Sequence, residues 1–420
     1  MRPHEARALC LDGDVGSACR RLRRMGMDAA ALRDLLGRRD DSGWTSWSGN
    51  VEVDDGHGGL AQVAVRVPAP GRHPRLGALI LLHGAGGSGE EVLPGFAALG
   101  DALSMAIICP TARHRSQGAS ARDFAGIFGR RFQRPHWDLS GQDSPLAALR
   151  WARAALEVDP DRCVVAGVSM GGIATWNLAM RFWQSFAAAV PINGALSAWE
   201  LFGTDARTRA LLPNVLPLPV FAVHGGRDRQ IPPDFDRGSF ATLREDGHKD
   251  IEYVEVPDGE HPLPTLGLDE GSPLLERLAA WLGDRRRRCR PVEINHRAID
   301  DRHGRAHWVR VGGVRPGEVA RVHARQVEPD RMDIEVSGAD RVTLYASGDR
   351  LAPGDAVTVL VNGAATSVRF EPDLATVVET YREEADPALA AEQVIRLDVP
   401  RSAVPFPNDS GRRHSHADEN

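Results

Sequence analysis

A serine hydroxyl is a weak nucleophile at neutral pH. A serine kept for chemistry therefore needs a base, an acid that orients the base, and donors for the charge that develops on the substrate oxygen. Ser169 sits in the run Gly167-Val168-Ser169-Met170-Gly171, a G-x-S-x-G pattern, with Gly172 beyond it. Ahead of it, Cys163, Val164 and Val165 form a short apolar run rich in β-branched residues, which predicts a strand buried on both faces. From Ile173 the residues become helix-compatible. Strand, sharp turn and helix together give the pattern its meaning as a nucleophile elbow. The turn demands glycine on either side of the serine, because a Cβ at 167 or 171 would collide with the neighbouring chain.

The search for a base and an acid leads downstream. A strand at 220–223 runs into His224-Gly225-Gly226-Arg227-Asp228, and a strand at 251–256 runs into Pro257-Asp258-Gly259-Glu260-His261. Asp228 and His261 thus follow strand ends, on the sheet edge where the elbow also lies. Asp258 is a competing acid, but in Pro257-Asp258-Gly259 it has a sufficient role as a turn former. His224 closes a strand and reads as a satisfied core histidine. His83 reads as a brace for the loop His83-Gly84-Ala85-Gly86-Gly87-Ser88-Gly89, and His136 lies in the long irregular loop 111–142, bordering the site without a catalytic role. That glycine-rich loop has no GKS or GKT and no G-x-G-x-x-G in register with a helix start, which argues against phosphate binding. In a serine hydrolase it occupies the place of an oxyanion loop.

The elements that must position these residues follow from the patterning. At 420 residues, two domains or one elaborated domain are expected. Residues 1–48 read as a helical appendage and linker, with Asp28 capping a helix that carries Leu32, Leu35 and Leu36. Over 49–283 strands alternate with helices, which predicts a doubly wound, mostly parallel sheet. The run 78–82 is apolar throughout and predicts a central strand. Ser144 and Pro145 mark one helix start, and Ser272 and Pro273 another. Residues 284–299 read as a basic linker containing the solvated run Arg285 to Arg290. Residues 300–400 read as a small β-rich accessory domain: two-residue alternation over about 300–372, with Asn362-Gly363 as a hairpin turn, predicts an antiparallel β-domain, and a final helical piece carries Leu374, Val377 and Tyr381. His303, His307 and His323 are spread over different elements of it, which argues against a metal cluster there. Residues 401–420 read as a disordered tail.

A net charge of −6 gives no electrostatic case for nucleic acid. The five cysteines are scattered and form no C-x-x-C, so zinc and redox motifs are excluded, and a reducing, cytoplasmic setting is expected. No signal peptide and no membrane span is read.

LLHGAGGSG, the strand leading into GVSMGG, HGGRD and GEH together resemble the α/β-hydrolase superfamily. They are most similar to its dienelactone-hydrolase-like, polyhydroxybutyrate-depolymerase-like and phospholipase/carboxylesterase branch, a likeness that VDPDRCVVAGVSMGGIATWNLA and FAAAVPINGA strengthen. The resemblance spans 49–283 and implies a triad of Ser169, Asp228 and His261. It also implies oxyanion donors at the backbone N–H groups of Ala85 and Met170, and no cofactor or metal. Position 169 is serine, so the cysteine chemistry of dienelactone hydrolase proper is not implied. The expected activity is a carboxylesterase acting on a small-molecule ester. A serine peptidase of the prolyl-oligopeptidase type is the competing enzyme; it usually carries a large N-terminal propeller, which 48 residues do not build. A silent hydrolase fold that binds through its β-domain is the third reading. Trp137, Trp176 and Phe202 are candidate pocket residues. The β-domain is expected to serve stability, assembly or access, with the chemistry left to the hydrolase half.

Overall fold

The computed structural model describes residues 1–38, 43–55, 59–112, 137, 143–196, 206–283, 285–349 and 351–400. Residues 113–136 and 197–205, with His136 and Phe202, and the tail 401–420 lie outside the described residues.

Three short helices open the chain: α1 (Pro3–Leu11), α2 (Val15–Arg24) and α3 (Ala29–Gly37). Asp14 and Asp28 cap the second and third by accepting from Ser17 N and Ala31 N. The eight-stranded sheet follows, built from β1 (Trp47–Asp54), β2 (Leu60–Val67), β3 (Gly77–Leu82), β4 (Met105–Pro110), β5 (Cys163–Val168), β6 (Ala188–Ile192), β7 (Val220–Gly225) and β8 (Ile251–Val256). Its order is β1-β2-β4-β3-β5-β6-β7-β8. β2 runs antiparallel to β1 and β4, and every other pairing in the sheet is parallel. This is the doubly wound, mostly parallel arrangement that the alternation of strands and helices predicts. Every residue of β3, β4, β5, β6 and β7 is buried, as strands covered on both faces require.

The covering helices are α4 (Gly89–Val92), α5 (Ala97–Leu103), α6 (Asp143–Ala155), α7 (Met170–Phe182), α8 (Asp234–Glu245) and α9 (Pro273–Leu282). Ser272 caps α9 as its position before Pro273 predicts, accepting from Leu275 N at 3.2 Å. The Ser144 reading is one step off: α6 already includes Asp143, and Ser144 is buried in its first turn.

Beyond α9 come β9 (Glu293–Ala298), β10 (Arg305–Ala306), β11 (Val309–Val314), β12 (Ala320–Glu328), β13 (Arg331–Ser337), β14 (Ala339–Ala346), β15 (Ala356–Val361), β16 (Ala364–Arg369), α10 (Leu374–Glu384) and β17 (Gln393–Asp398). They form a four-stranded sheet, β10-β11-β14-β17, and a five-stranded one, β16-β15-β13-β12-β9. Two details depart from the sequence reading. β9 lies inside the stretch read as linker, and β13 pairs parallel to β15 although the remaining pairs are antiparallel. Ser337-Gly338 therefore carries the chain from one sheet to the other, with Gly338 at φ +71°. The Asn362-Gly363 hairpin is as read, with both residues at positive φ between Val361 and its partner Ala364.

The N-terminal helices are not a separate appendage. Leu9, Leu22, Leu32 and Leu36 pack with Leu374, Val377, Val378 and Tyr381 of α10 in one buried cluster. Arg382 of α10 donates to the carbonyls of Cys10, Asp12 and Gly13, satisfying the acceptors that the end of α1 leaves open. Arg20, Arg21, Arg23 and Arg24 lie on the exposed face of α2.

Candidate active site

Ser169 stands between β5 and α7 with φ +58° and ψ −121°, a conformation that non-glycine residues adopt only when their surroundings enforce it. The enforcement is visible. Ser169 N donates to Ile192 O of β6 at 2.8 Å, and Ser169 O accepts from Ile173 N at 3.0 Å inside α7. The flanking glycines have no room for a side chain. A Cβ at Gly171 would stand 2.7 Å from His83 O, and one at Gly167 would stand 2.8 Å from Thr175 Oγ1. Gly172 is equally confined, 2.7 Å from Ile192 O. Close approach of β3, β5 and α7 thus lifts the Ser169 side chain to the C-terminal edge of the sheet.

The same edge receives the residues from the β7 and β8 loops. His261 Nε2 lies 2.7 Å from Ser169 Oγ, and its Nδ1 lies 2.6 Å from Asp228 Oδ2. An ionised carboxylate only accepts, so Nδ1 carries the proton and Nε2 is the face turned to the serine hydroxyl. Asp228 is buried, and its other oxygen accepts from Gln230 N at 2.8 Å and Ile231 N at 3.0 Å. Burial by itself pushes this carboxyl up, but the nearby His224 ring and the hydrogen bonds from His261 and the Ile231 amide outweigh it and hold Asp228 well below the usual carboxylate range.

The competing acid is elsewhere. Asp258 is exposed and paired with Arg227 at 2.5 Å. His83 is buried and braces its loop: its Nδ1 donates to Gly84 O at 2.7 Å, and its Nε2 accepts from Ala112 N at 3.0 Å. Burial holds its pKa below the ordinary histidine value, so it serves as a neutral strut. Trp137 is buried beside it, donating to His83 O at 2.8 Å with the rings 4.7 Å apart. Trp176 is fully buried in α7, edge-on to Phe240, and belongs to the core.

Ala85 follows Gly84, whose own position is tight: a Cβ there would stand 3.4 Å from Ser169 Cβ. The loop therefore runs directly alongside the serine. Met170 is the first residue of α7, where helix geometry leaves the N–H without an intrahelical acceptor.

One residue escaped the sequence reading. Asn193, fully buried at φ +45°, accepts from Gly225 N at 2.8 Å and donates to His261 O at 2.7 Å and Glu260 O at 3.1 Å. It ties the loop carrying Asp228 to the loop carrying His261. Its only trace in the chain is an Asn-Gly pair after a strand, which also describes an ordinary turn.

Among the described residues no group of His, Cys, Asp and Glu is arranged to hold a metal, and no helix is long and apolar enough to cross a membrane. All five cysteines are free thiols.

No protein-family model matches the chain, and no curated protein matches it in sequence. Solved structures do. An S-formylglutathione hydrolase from Staphylococcus aureus is 17% identical, with 57% of this chain and 99% of that one covered and a TM-score of 0.40. A thermostable esterase is 23% identical over 58% of this chain and 63% of its own, with a TM-score of 0.39. An acylaminoacyl peptidase from Pyrococcus horikoshii is 15% identical over 52% of this chain and 38% of its own, with a TM-score of 0.37. The likeness is one of fold.

Proposed function

We propose that this chain is a serine hydrolase that cleaves carboxylic esters through an acyl-enzyme. The observation that carries the reading is the unbroken hydrogen-bonded line from Ser169 Oγ through His261 to Asp228, 2.7 Å and 2.6 Å long. In this reading His261 takes the Ser169 proton as the hydroxyl attacks the ester carbonyl, then returns it to the leaving alcohol. Water enters by the same base to release the acid. Asp228 keeps Nδ1 protonated and stabilises the imidazolium without taking its proton.

The oxyanion is assigned to the N–H groups of Ala85 and Met170. Support comes from the peptide that joins Gly84 to Ala85. Gly84 O is engaged by the His83 ring and by Gly87 N, and in a trans peptide the Ala85 N–H points the opposite way. Ester rather than amide substrates follow from the motif resemblance, and the free thiols are in keeping with a reducing compartment.

The test is labelling by an alkyl fluorophosphonate beside turnover of chromogenic esters of graded acyl length and matched peptide amides. Wild type should label once, at Ser169, and turn over esters ahead of amides. Ser169→Ala should stay folded and lose nearly all of both. Wild-type turnover by purified Ser169→Ala overturns the reading, and faster amide cleavage replaces esterase with peptidase.

A further inference from the structure

Beside Asp228 lies a second histidine–aspartate pair that the reaction scheme leaves unused. His224 and Asp236 are both fully buried, with Nδ1 2.8 Å from Asp236 Oδ2. The other ring nitrogen, Nε2, donates to Ile231 O at 2.8 Å and stands 3.5 Å from Asp228 Oδ2. A carbonyl only accepts, so Nε2 holds a proton whichever partner holds the one at Nδ1. Ile231 closes the ring of contacts, because its own N–H is one of the two that bind Asp228 Oδ1.

A buried core histidine needs only its two ring nitrogens satisfied. This one does more: Nε2, whose proton goes to Ile231 O, also stands 3.5 Å from the carboxylate oxygen that receives His261, and a buried carboxylate stands at the far end of the ring. We propose, resting on the serine-hydrolase reading, that His224 locked by Asp236 is a positioning residue for Asp228, fixing the carboxylate and moderating the negative charge it presents to His261.

Burial disfavours a charged imidazole, but Asp228 and Asp236 outweigh it and raise His224 to about 10, while burial raises Asp236 as well, so the pair shares a proton between Nδ1 and Oδ2 and Nε2–H is its positive end. The groups facing the pair are few. Asp228 and His261 lie on one side and Asp236 of α8 on the other. Glu255 and Tyr253 approach from β8, where Tyr253 donates to Glu255 at 2.9 Å and Arg237 neutralises that carboxylate at 2.8 Å and 2.6 Å. The field at Asp228 Oδ2 is therefore set by the positive end of the His224–Asp236 pair.

The sign follows. A positive end beside Asp228 weakens its hold on a protonated His261, so His261 is less basic with the pair intact. Removing that end makes His261 more basic and moves the acid limb of kcat/KM to higher pH. His224→Gln removes the imidazole, while Asp236→Asn keeps the ring and its bond to Ile231 but takes away one of the two carboxylates that raise it.

The experiment is an NMR titration of the His261 ring, assigned by its loss in His261→Gln, in wild type and both variants, together with pH profiles of ester hydrolysis. In His224→Gln the His261 midpoint should rise by at least about 0.5 in pH, as loss of a nearby positive end implies, and in Asp236→Asn it should move by a similar amount. The acid limb should follow it, and kcat should fall with KM little changed. If His224→Gln does not fold, Asp236→Asn carries the test. An unmoved His261 midpoint in a folded variant overturns the proposal, since a packing defect lowers stability without shifting a titration. If wild type neither labels nor hydrolyses esters, the serine-hydrolase reading fails, and the His261 midpoint still decides whether the pair tunes this histidine.

Discussion

Arg287 and Asp386 meet as a bidentate ion pair, Nη1 to Oδ2 at 2.5 Å and Nη2 to Oδ1 at 3.2 Å, with both side chains shielded from water. Arg287 also donates to Gln184 O at 3.1 Å and Asp161 Oδ1 at 2.9 Å, and Arg153 of α6 approaches Asp386 at 3.6 Å. The run Arg285 to Arg290 is therefore more than a solvated linker. One of its arginines joins the hydrolase sheet to the segment after α10. Asp161 precedes β5 and Ser169 follows it, so this junction and the elbow lie at opposite ends of one strand.

Replacing Asp386 with Asn leaves buried Arg287 with only the partly exposed Asp161 as a counter-charge, and Arg153 with only Glu384 at 3.9 Å. Breaking such a pair from one side costs about 3–5 kcal/mol. Urea titration of full-length Asp386→Asn should show a lowered midpoint, while kcat/KM of the folded fraction stays near wild type. A collapse of kcat/KM at unchanged stability would place the junction in the catalytic machinery instead.

The same carboxylate gives a pH signature. Burial would push Asp386 up, but the charges of Arg287 and Arg153 outweigh it and hold it far below the ordinary range. A carboxylate depressed on folding stabilises the native state above its unfolded pKa of about 3.9 and loses that contribution as pH falls. Wild-type stability should therefore decline steeply below about pH 4. Asp386→Asn should decline less steeply over the same interval, and denaturation midpoints measured at pH 3 and pH 6 would show whether the two slopes differ.

Much of this architecture is legible in the chain because single segments carry it. The apolar run at 78–82 is β3, buried at every position between β4 and β5. Glycines 167, 171 and 172 mark an elbow that tolerates no Cβ. Ser169, Asp228 and His261 come together because each follows a strand of one parallel sheet. What escapes the sequence depends on pairs far apart along it. Asp386 meets Arg287 across 99 residues, and Arg382 closes the end of α1 across 372. Alternation in 300–372 shows that strands form and which faces are apolar, but the choice between one sheet and two rests on partners that periodicity does not name. Asn193 and His224 were legible as residues but not as connectors, because a turn asparagine and a core histidine have the same local pattern.

The acid assignment can be tested between two aspartates that the chain places near His261 by different routes. Asp258 is three residues away in sequence yet exposed and engaged with Arg227. Asp228 is 33 residues away yet 2.6 Å from His261 Nδ1. Asp228→Asn preserves shape but offers an amide N–H or carbonyl where a carboxylate stood, which lets the imidazole settle with its proton on Nε2, facing the serine. Loss of the correct tautomer costs about 10⁴-fold in kcat in the worked protease case. Asp258→Asn removes one exposed pair, worth about 0–1 kcal/mol of stability, and should leave turnover unchanged. Steady-state kinetics of the two variants on one activated ester should therefore differ by several orders of magnitude, and the reverse ranking would transfer the acid to Asp258.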